Sequence, residues 1–447
     1  MNIRHGLERH RQEDRGPRGS PSATALSFAP DMKTSVAEPT AVTFSSICCA
    51  LAVLALGFAV EIAHGFFHVK ALAAILMAVV LCILAITGPR IAVFLPFGRK
   101  TAVRRIFCLV LVTYFFAGLA TLRGRHDPID VIVFENDGVH ALLHGEDPYG
   151  SNVTHQDLYG STRTVYGPGI SANGRVHVGF PYPPLTLFWI LPAYEAGDVR
   201  YSFLIAVLLA AILTFYLAPN LNGLLAAFFL LFLPETLFVL SAGWTEPLML
   251  VALSATIVSA RKAPRLLPLA LGLFLASKQY SLLAVPLSAL LIPIFTWKKY
   301  LILIGQAAAV AAIITLPFVL WDSHGFWQSL VTFQVVAPFR SDSLSLSALL
   351  FKHSLPSIPQ WFVLVAVVAA IAFALMRAPR TPSGFAVSIA LASLIFFIIN
   401  KQAFCNYYFF SAGTLCLSVA SAEYDPNMQA FGLVRLPRTG SSPELPQ

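Results

Sequence analysis

The chain has 447 residues, of which 57% are hydrophobic and only 12% are charged. With a mean hydropathy of +0.72, this composition excludes an ordinary water-soluble globular protein. The net charge of +8 does not indicate nucleic-acid binding, because the cations flank apolar segments instead of clustering on a polar domain.

Polar ends enclose a long series of apolar segments. Residues 1–40 and 422–447 are polar and are predicted to be disordered cytoplasmic tails. Residues 41–421 form the predicted membrane domain, an all-α, polytopic bundle of about twelve transmembrane helices. The predicted spans are 41–62, 71–95, 106–122, 201–218, 223–241, 245–260, 265–278, 281–296, 300–320, 360–376, 384–400 and 404–421.

The basic residues determine the predicted topology. With both tails inside, the inward-facing segments carry most of the Lys and Arg residues, as the positive-inside rule requires. We interpret the short, proline-containing segment 181–200 as re-entrant or interfacial, since a crossing there would place the later basic clusters outside. The outer face then holds two long loops, 123–200 and 321–358, and three tight turns: Gly243–Glu246, Ser277–Tyr280 and Asn400–Asn406.

The first outer loop begins with a predicted juxtamembrane helix from Val131 to Leu143. Asp127–Pro128 has the pattern of a helix start, and Gly145 that of a helix stop. Asp130 lies at the start of this helix, and Asp137 lies seven residues further on, roughly on the same face. Either carboxylate is a candidate general base. The alternative, that Asp130 only complements the helix dipole, stays open.

Three cations lie on the outer side, against the inward bias of basic residues. They are Lys278 in ASKQYSLL, Arg340 in FRSDSLSL and Lys401 in INKQAFCNYYFF. Each lysine alone has an ordinary explanation, as a snorkelling residue at a helix end. Three cations around one membrane-facing cavity would suit a phosphate or pyrophosphate group.

Polar and aromatic residues near these cations are candidate sugar or acceptor contacts. Trp244 and Glu246 combine an aromatic ring with a carboxylate, a pairing common in sugar sites, although Trp is also enriched at membrane interfaces. Gln402, Asn406 and Tyr407 follow Lys401. The sequence has no Walker A, GxGxxG, HExxH or GxSxG motif and no metal-ligand spacing, so no metal and no cofactor is expected.

Taken in order, these segments resemble the polytopic GT-C glycosyltransferases, in particular the bacterial mannosyltransferase-like proteins of glycosyltransferase family 87. The resemblance rests on DVIVF…ALLHGEDPY, FPYPPL, GWTE, ASKQ, FRSDSLS and NKQAFCNYY, and it covers about 106–420. The family has an Asp at the membrane edge, then an aromatic residue and xGxxPY, matched here by Asp130, Phe134, Gly145 and Pro148–Tyr149. The spacing from Asp130 to Gly145 is about one residue longer than usual, which leaves Asp137 open as the base.

The resemblance implies an inverting, metal-independent transferase in a bacterial plasma membrane. It implies transfer of a hexose, expected to be mannose, from a polyprenyl-phosphate sugar to a lipid-linked or glycan acceptor on the outer face. Asp130 or Asp137 would then be the base, while Lys278, Arg340 and Lys401 hold the donor phosphate. The rival classes are a secondary transporter or lipid flippase, and a non-catalytic scaffold. Charges gathered at one end of the helices, without a clear internal repeat, favour the enzyme.

Overall fold

The computed structural model describes residues 99–124, 129–150, 153–160, 165–167 and 169–422. The predicted spans 41–62 and 71–95, residues 1–40 and 423–447 of the predicted tails, and Asp127–Pro128 lie outside the described residues. The helices in chain order are α1 Arg99–Arg123, α2 Asp130–Leu143, α3 Pro184–Glu195, α4 Arg200–Leu217, α5 Leu221–Phe232, α6 Pro234–Ala242, α7 Glu246–Lys262, α8 Leu267–Leu275, α9 Ala284–Leu287, α10 Trp297–Trp321, α11 Ser323–Trp327, α12 Phe333–Val336, α13 Leu346–Lys352, α14 Gln360–Arg377, α15 Pro382–Ile399 and α16 Cys405–Ala422.

The protein is helical and has the features of a membrane protein, as predicted. Within the described ranges, five helices are long and apolar enough to cross a membrane, and α5 with α6 adds a sixth if this pair, bent by 50°, is one span. α1, α10 and α14 carry exposed apolar side chains such as Phe116, Ile313 and Leu364. Exposing such apolar surfaces to water is unfavourable, so these helices have the surface expected of lipid-facing helices.

The buried centre of the bundle consists of α4, α7, α15 and α16. α15 packs along α16, α4 packs along α7, and α16 also contacts α7. Local signals place the ends of these and neighbouring helices. Thr381 caps α15 by accepting a hydrogen bond from the Gly384 amide, and Pro382 occupies the first turn. Gly243 ends α6 in the left-handed conformation, with φ of 70°.

The described residues of the first predicted loop form two helices and a small sheet. After α2, three two-residue strands pair antiparallel in the order β1-β3-β2: β1 His155–Gln156, β2 Ser171–Ala172 and β3 Arg175–Val176. α3 has 12 residues, which is about 18 Å of helix and too short to cross a bilayer core of about 30 Å. The re-entrant or interfacial position of 181–200 stays a prediction.

The second predicted loop, 321–358, is largely helical. α11, a π-helical turn from Gln328–Thr332, α12 and α13 occupy it. The caps explain two of these helices, because Asp322 accepts hydrogen bonds from the amides of His324 and Gly325. Ser345 likewise accepts from the Ala348 amide at the start of α13. Several predicted spans are also broken: 281–296 divides into short 3₁₀ and α-helical pieces from Gln279–Leu283 to Ser288–Leu291.

Candidate functional site

A cavity of about 600 Å³ lies where α2, the 243–246 and 277–280 turns, and the 333–340 and 400–407 segments meet. It brings together residues that are far apart in the sequence. Most of the site residues predicted from the sequence line it: Asp130, Trp244, Lys278, Arg340, Lys401, Gln402, Asn406 and Tyr407. Asp137 and Glu246 do not line this cavity.

Asp130 is the first residue of α2, as its position in the sequence predicts. The Val131 amide donates a hydrogen bond of 3.0 Å to its Oδ1. Burial raises the pKa of this carboxyl above its ordinary value, and the nearby Arg340 guanidinium partly opposes that shift. A raised pKa makes the ionised carboxylate a stronger base than a solvent-exposed aspartate. Asp130 thus lines the cavity with a carboxyl whose pKa is raised.

Arg340 is held at the cavity by a bidentate pair with Asp342. Its Nε and Nη2 donate hydrogen bonds of 2.8 and 2.7 Å to the two carboxylate oxygens of Asp342. The Arg340 side chain is 18% exposed and that of Asp342 is 61% exposed. The guanidinium also lies 5.2 Å from the centre of the Phe404 ring. Asp342 and Phe404 therefore orient the Arg340 side chain, and its guanidinium still lines the cavity.

Lys401 closes the end of α12. Its ammonium donates hydrogen bonds to the carbonyls of Gln334, Val335 and Ala337 at 3.0, 3.0 and 2.6 Å. A cation at a helix carboxyl terminus complements the helix dipole. Burial lowers the pKa of Lys401 from its ordinary value. Lys401 lines the cavity, and its contacts also give it a structural function that snorkelling alone does not describe.

Backbone pairing joins the segments that carry Arg340 and Lys401. The Arg340 amide donates to the Lys401 carbonyl at 3.3 Å, and the Leu344 amide donates to the Ala403 carbonyl at 2.7 Å. The Tyr408 hydroxyl donates to the Leu344 carbonyl at 2.7 Å. These bonds bring two cations together although about sixty residues separate them along the chain.

Lys278 forms a buried ion pair with Glu246. The same ammonium donates a hydrogen bond of 2.8 Å to the Thr245 hydroxyl. The Tyr280 hydroxyl donates to Glu246 Oε1 at 2.8 Å. The Lys278 side chain is 8% exposed and that of Glu246 is 0% exposed. Glu246 therefore contacts the cation behind the cavity wall, while Lys278 itself lines the cavity.

Aromatic rings surround the Lys278 ammonium. The centres of the Tyr182, Tyr280 and Tyr407 rings lie 5.2, 5.6 and 5.7 Å from it. All three tyrosines line the cavity, and ring faces attract cations at such distances. Tyr182 belongs to the FPYPPL turn, and its carbonyl accepts a hydrogen bond of 2.7 Å from the Tyr149 hydroxyl. The turn is thus held in place and also contributes to the cavity.

Asp137 lies elsewhere on α2, where it binds a histidine. His155 Nδ1 lies 2.9 Å from Asp137 Oδ2, with the Asp137 side chain 42% exposed and the His155 side chain 0% exposed. The imidazole packs edge-on against Phe134, with ring centres 4.6 Å apart. The two candidate bases are therefore separated: Asp130 lines the cavity, and Asp137 pairs with His155.

Glu135 is a buried carboxyl that is not among the site residues predicted from the sequence. It is fully buried, and neither of its oxygens has a hydrogen-bond partner among the residues that the structure describes. Burial raises its pKa well above the ordinary value, although nearby Lys278 opposes the shift. The available signal was its place on the buried stripe of α2, beside Val131, Gly138 and Val139.

The arrangement combines a basic carboxylate, three cations and aromatic walls in one cavity between apolar helices. In such a cavity the carboxylate can take a proton from a hydroxyl group, and the cations can stabilise a phosphate anion. Within the described ranges, no three His, Cys, Asp or Glu side chains are grouped so that they could hold a metal ion. No protein-family model, no curated protein and no solved structure matches the chain.

Proposed function

We propose that this protein is an integral membrane glycosyltransferase. It moves a hexose, mannose by the resemblance, from a polyprenyl-phosphate sugar to a lipid-linked or glycan acceptor. The observation that carries the proposal is the shared cavity of Asp130, Lys278, Arg340 and Lys401. The order of motifs in the sequence supports it independently. We place the cavity on the outer face of a bacterial plasma membrane, in a bundle of about twelve spans with cytoplasmic termini.

In this proposal Asp130 is the general base. Its carboxylate takes the proton of the acceptor hydroxyl, whose oxygen attacks the anomeric carbon as the bond from that carbon to the phosphate oxygen breaks. The raised pKa of Asp130 favours the proton transfer. Asp137 is not given this role, because it pairs with His155 away from the cavity. The resemblance implies inversion at the anomeric carbon.

The cations stabilise the departing phosphate. Arg340 and Lys278 present positive charge at the cavity, and Lys401 completes the set. Trp244, Tyr407 and the amides of Gln402 and Asn406 are the proposed contacts of the sugar and the acceptor. Glu246 acts on the site through Lys278, because its carboxylate is bound to that ammonium.

A second candidate function is a secondary transporter or lipid flippase. One observation favours it: the buried carboxyl of Glu135, which has no hydrogen-bond partner among the described residues, lies near the Lys278–Glu246 pair. Intramembrane or membrane-edge carboxyls of this kind occur in proton-coupled carriers. The two functions differ in their product, because only a transferase breaks the bond between sugar and phosphate.

The test is transfer of labelled sugar from polyprenyl-phosphate mannose, and from other polyprenyl-phosphate hexoses, in membranes that contain the protein. Wild type, Asp130→Asn and Asp137→Asn are compared at equal expression. We expect transfer by wild type, loss of transfer in Asp130→Asn with donor binding retained, and transfer in Asp137→Asn. If no donor yields product above empty membranes, while labelled donor moves across vesicles, the carrier function replaces the enzyme.

A further inference from the structure

Four exposed cations, which we call the basic patch, lie on two segments that are far apart in the sequence. They are Lys298 and Lys299 in the first turn of α10, Arg377 at the end of α14 and Arg380 just before α15. No Asp or Glu occurs in 247–321 or in 343–422. Among the described residues, none of the four cations has an acidic side chain within ion-pair distance. The patch is therefore positive without a counter-charge of its own.

The broken region 281–296 brings the two segments together. The Tyr300 hydroxyl of α10 donates a hydrogen bond of 3.1 Å to the Val285 carbonyl. Arg380 Nη1 donates a hydrogen bond of 3.2 Å to the Ala289 carbonyl. These two carbonyls are four residues apart in short helical pieces, which is about 6–8 Å along a helix. The start of α10 and the junction of α14 and α15 therefore dock side by side.

Aromatic rings are interleaved with the cations. The Phe295 ring centre lies 5.2 Å from that of Trp297 and 6.2 Å from that of Tyr300. The Arg380 guanidinium lies 4.6 Å from the centre of the Phe295 ring, a contact that orients its plane. Its bond to one carbonyl leaves most of its five N–H donors without a partner among the described residues. Such a guanidinium can bind two phosphate oxygens at once.

Exposed apolar side chains lie directly beside the cations. Ile294, before α10, and Met376, in the last turn of α14, are each 75% exposed. Trp297 is also exposed, and Trp is typical of the interface between membrane and water. A ligand that suits both the cations and the apolar surface has an anionic head and apolar chains. Anionic phospholipids have this chemistry, and basic pockets between membrane helices bind their head groups.

The basic patch is remote from the candidate cavity. Gln360 at the start of α14 and Asn400 just after α15 line the cavity, whereas Arg377 and Arg380 lie at the opposite ends of these two helices. A helix of 18 residues is about 27 Å long. A phosphate bound at the patch is therefore a different one from the phosphate of the proposed function.

We propose that the basic patch binds the head group of an anionic glycerophospholipid, with the acyl chains of that lipid against α10 and α14. Arg380 and the two lysines hold the phosphate, and Trp297 lies at the level of the lipid head groups. By the predicted topology this lipid belongs to the inner leaflet. The site does not depend on the proposed function, because none of its four cations lines the cavity.

The test is native mass spectrometry of the full-length protein in detergent. The protein is mixed with equal amounts of dioleoyl-phosphatidylglycerol and dioleoyl-phosphatidylcholine, which share their acyl chains and differ in head-group charge. Wild type is compared with two patch variants, Lys298→Gln/Lys299→Gln and Arg377→Gln/Arg380→Gln. The lysine variant keeps the test valid if the arginine variant fails to fold, because the lysine side chains make only one hydrogen bond among the described residues, of 3.4 Å.

The matched control is Arg104→Gln/Arg105→Gln. It also removes two exposed cations, but from α1, which packs against α4, α5 and α6. By the predicted topology these arginines face the same side of the membrane as the patch. The control therefore separates binding at the patch from a response to net charge.

We expect each patch variant to lower the preference for phosphatidylglycerol over phosphatidylcholine by about fivefold or more, while the control keeps the preference of wild type. Inorganic phosphate should not displace the bound phosphatidylglycerol, because it lacks acyl chains. An unchanged preference in the patch variants would overturn the proposal, and so would an equal loss in the control. Displacement by inorganic phosphate would replace the lipid site with a site for a soluble anion.

Discussion

The Lys278 ammonium is bound to the Glu246 carboxylate in the interior of the protein, next to the candidate cavity. The two residues belong to turns at the ends of different helices. Thr245 accepts a hydrogen bond from Lys278 and Tyr280 donates one to Glu246 Oε1, whereas Glu246 Oε2 has no partner among the described residues. The Lys278 charge is thus balanced by Glu246, and the position of its ammonium at the cavity is fixed before any ligand arrives.

Breaking this pair should destabilise the protein strongly. Glu246→Gln leaves the Lys278 charge buried without its counter-ion, which costs about 3–5 kcal/mol in comparable buried pairs. We expect a clear drop in the midpoint of thermal unfolding in detergent. The double variant Lys278→Met/Glu246→Leu should recover part of the loss.

The control is Asp342→Asn, which breaks the Arg340–Asp342 pair, whose carboxylate side chain is 61% exposed. It should change the free energy of unfolding by about 0–1 kcal/mol. Additive effects of the Lys278 and Glu246 changes would contradict the pairing.

Arg340 and Asp342 should shift the pH dependence of activity in opposite directions. The Arg340 charge lowers the pKa of Asp130, so Arg340→Gln should raise it. Because the base acts when it is deprotonated, activity is lost as the pH falls through this pKa, and the acid limb moves to higher pH. Asp342→Asn removes the counter-charge of Arg340 and moves the limb to lower pH. Transfer rates across pH measure both variants, and a shift of the same sign in both would refute the argument.

Many helix boundaries could be predicted because the residues at the ends of helices carry local sequence signals. The turns at Gly243–Glu246, Ser277–Tyr280 and Asn400–Asn406 coincide with helix boundaries in the structure, since glycine, proline and charges mark them in the sequence. Hydropathy reports the length of an apolar run and not its bends. The break between α5 and α6 and the short pieces within 281–296 were missed for this reason. The helices of 321–358 were missed because their caps lie among apolar residues.

Eight of the ten site residues predicted from the sequence line the cavity, whereas Asp137 and Glu246 do not, and the partners of these residues could not be predicted. Asp130, Lys278, Arg340 and Lys401 are charges beside apolar runs, which is visible in the sequence. Their contacts depend on the three-dimensional packing: Lys278 bonds to a residue 32 positions away, and Lys401 to carbonyls 64 to 67 positions away. Glu135 could not be predicted as a site residue, because a single charged residue on a helix is expected to face solvent until its burial is known.

Lys401 should control the docking of the 337–345 segment on the 400–406 turn. Lys401→Met keeps most of the apolar stem and removes the three hydrogen bonds to the carbonyls of Gln334, Val335 and Ala337. We expect faster amide hydrogen exchange over 334–345. Lys352→Met changes an exposed lysine of α13 and is the control. Equal exchange in Lys401→Met and wild type would show that the backbone bonds of this segment suffice.

Glu135 should make the stability of the protein depend on pH. Its pKa is raised well above the ordinary value in the folded protein, so the unfolded chain releases its proton at lower pH than the folded chain does. The free energy of unfolding therefore falls as the pH rises from the ordinary carboxyl pKa to the raised one. Below that range Glu135 causes no such loss of stability. Glu135→Gln removes the ionisable group, so the variant should unfold at a higher temperature than wild type at pH 8, with a smaller difference at pH 5. Thermal unfolding in detergent at both pH values measures this, with Glu146→Gln, at an exposed loop position, as the control. A variant less stable than wild type at pH 8 would show instead that ionised Glu135 is a partner of Lys278.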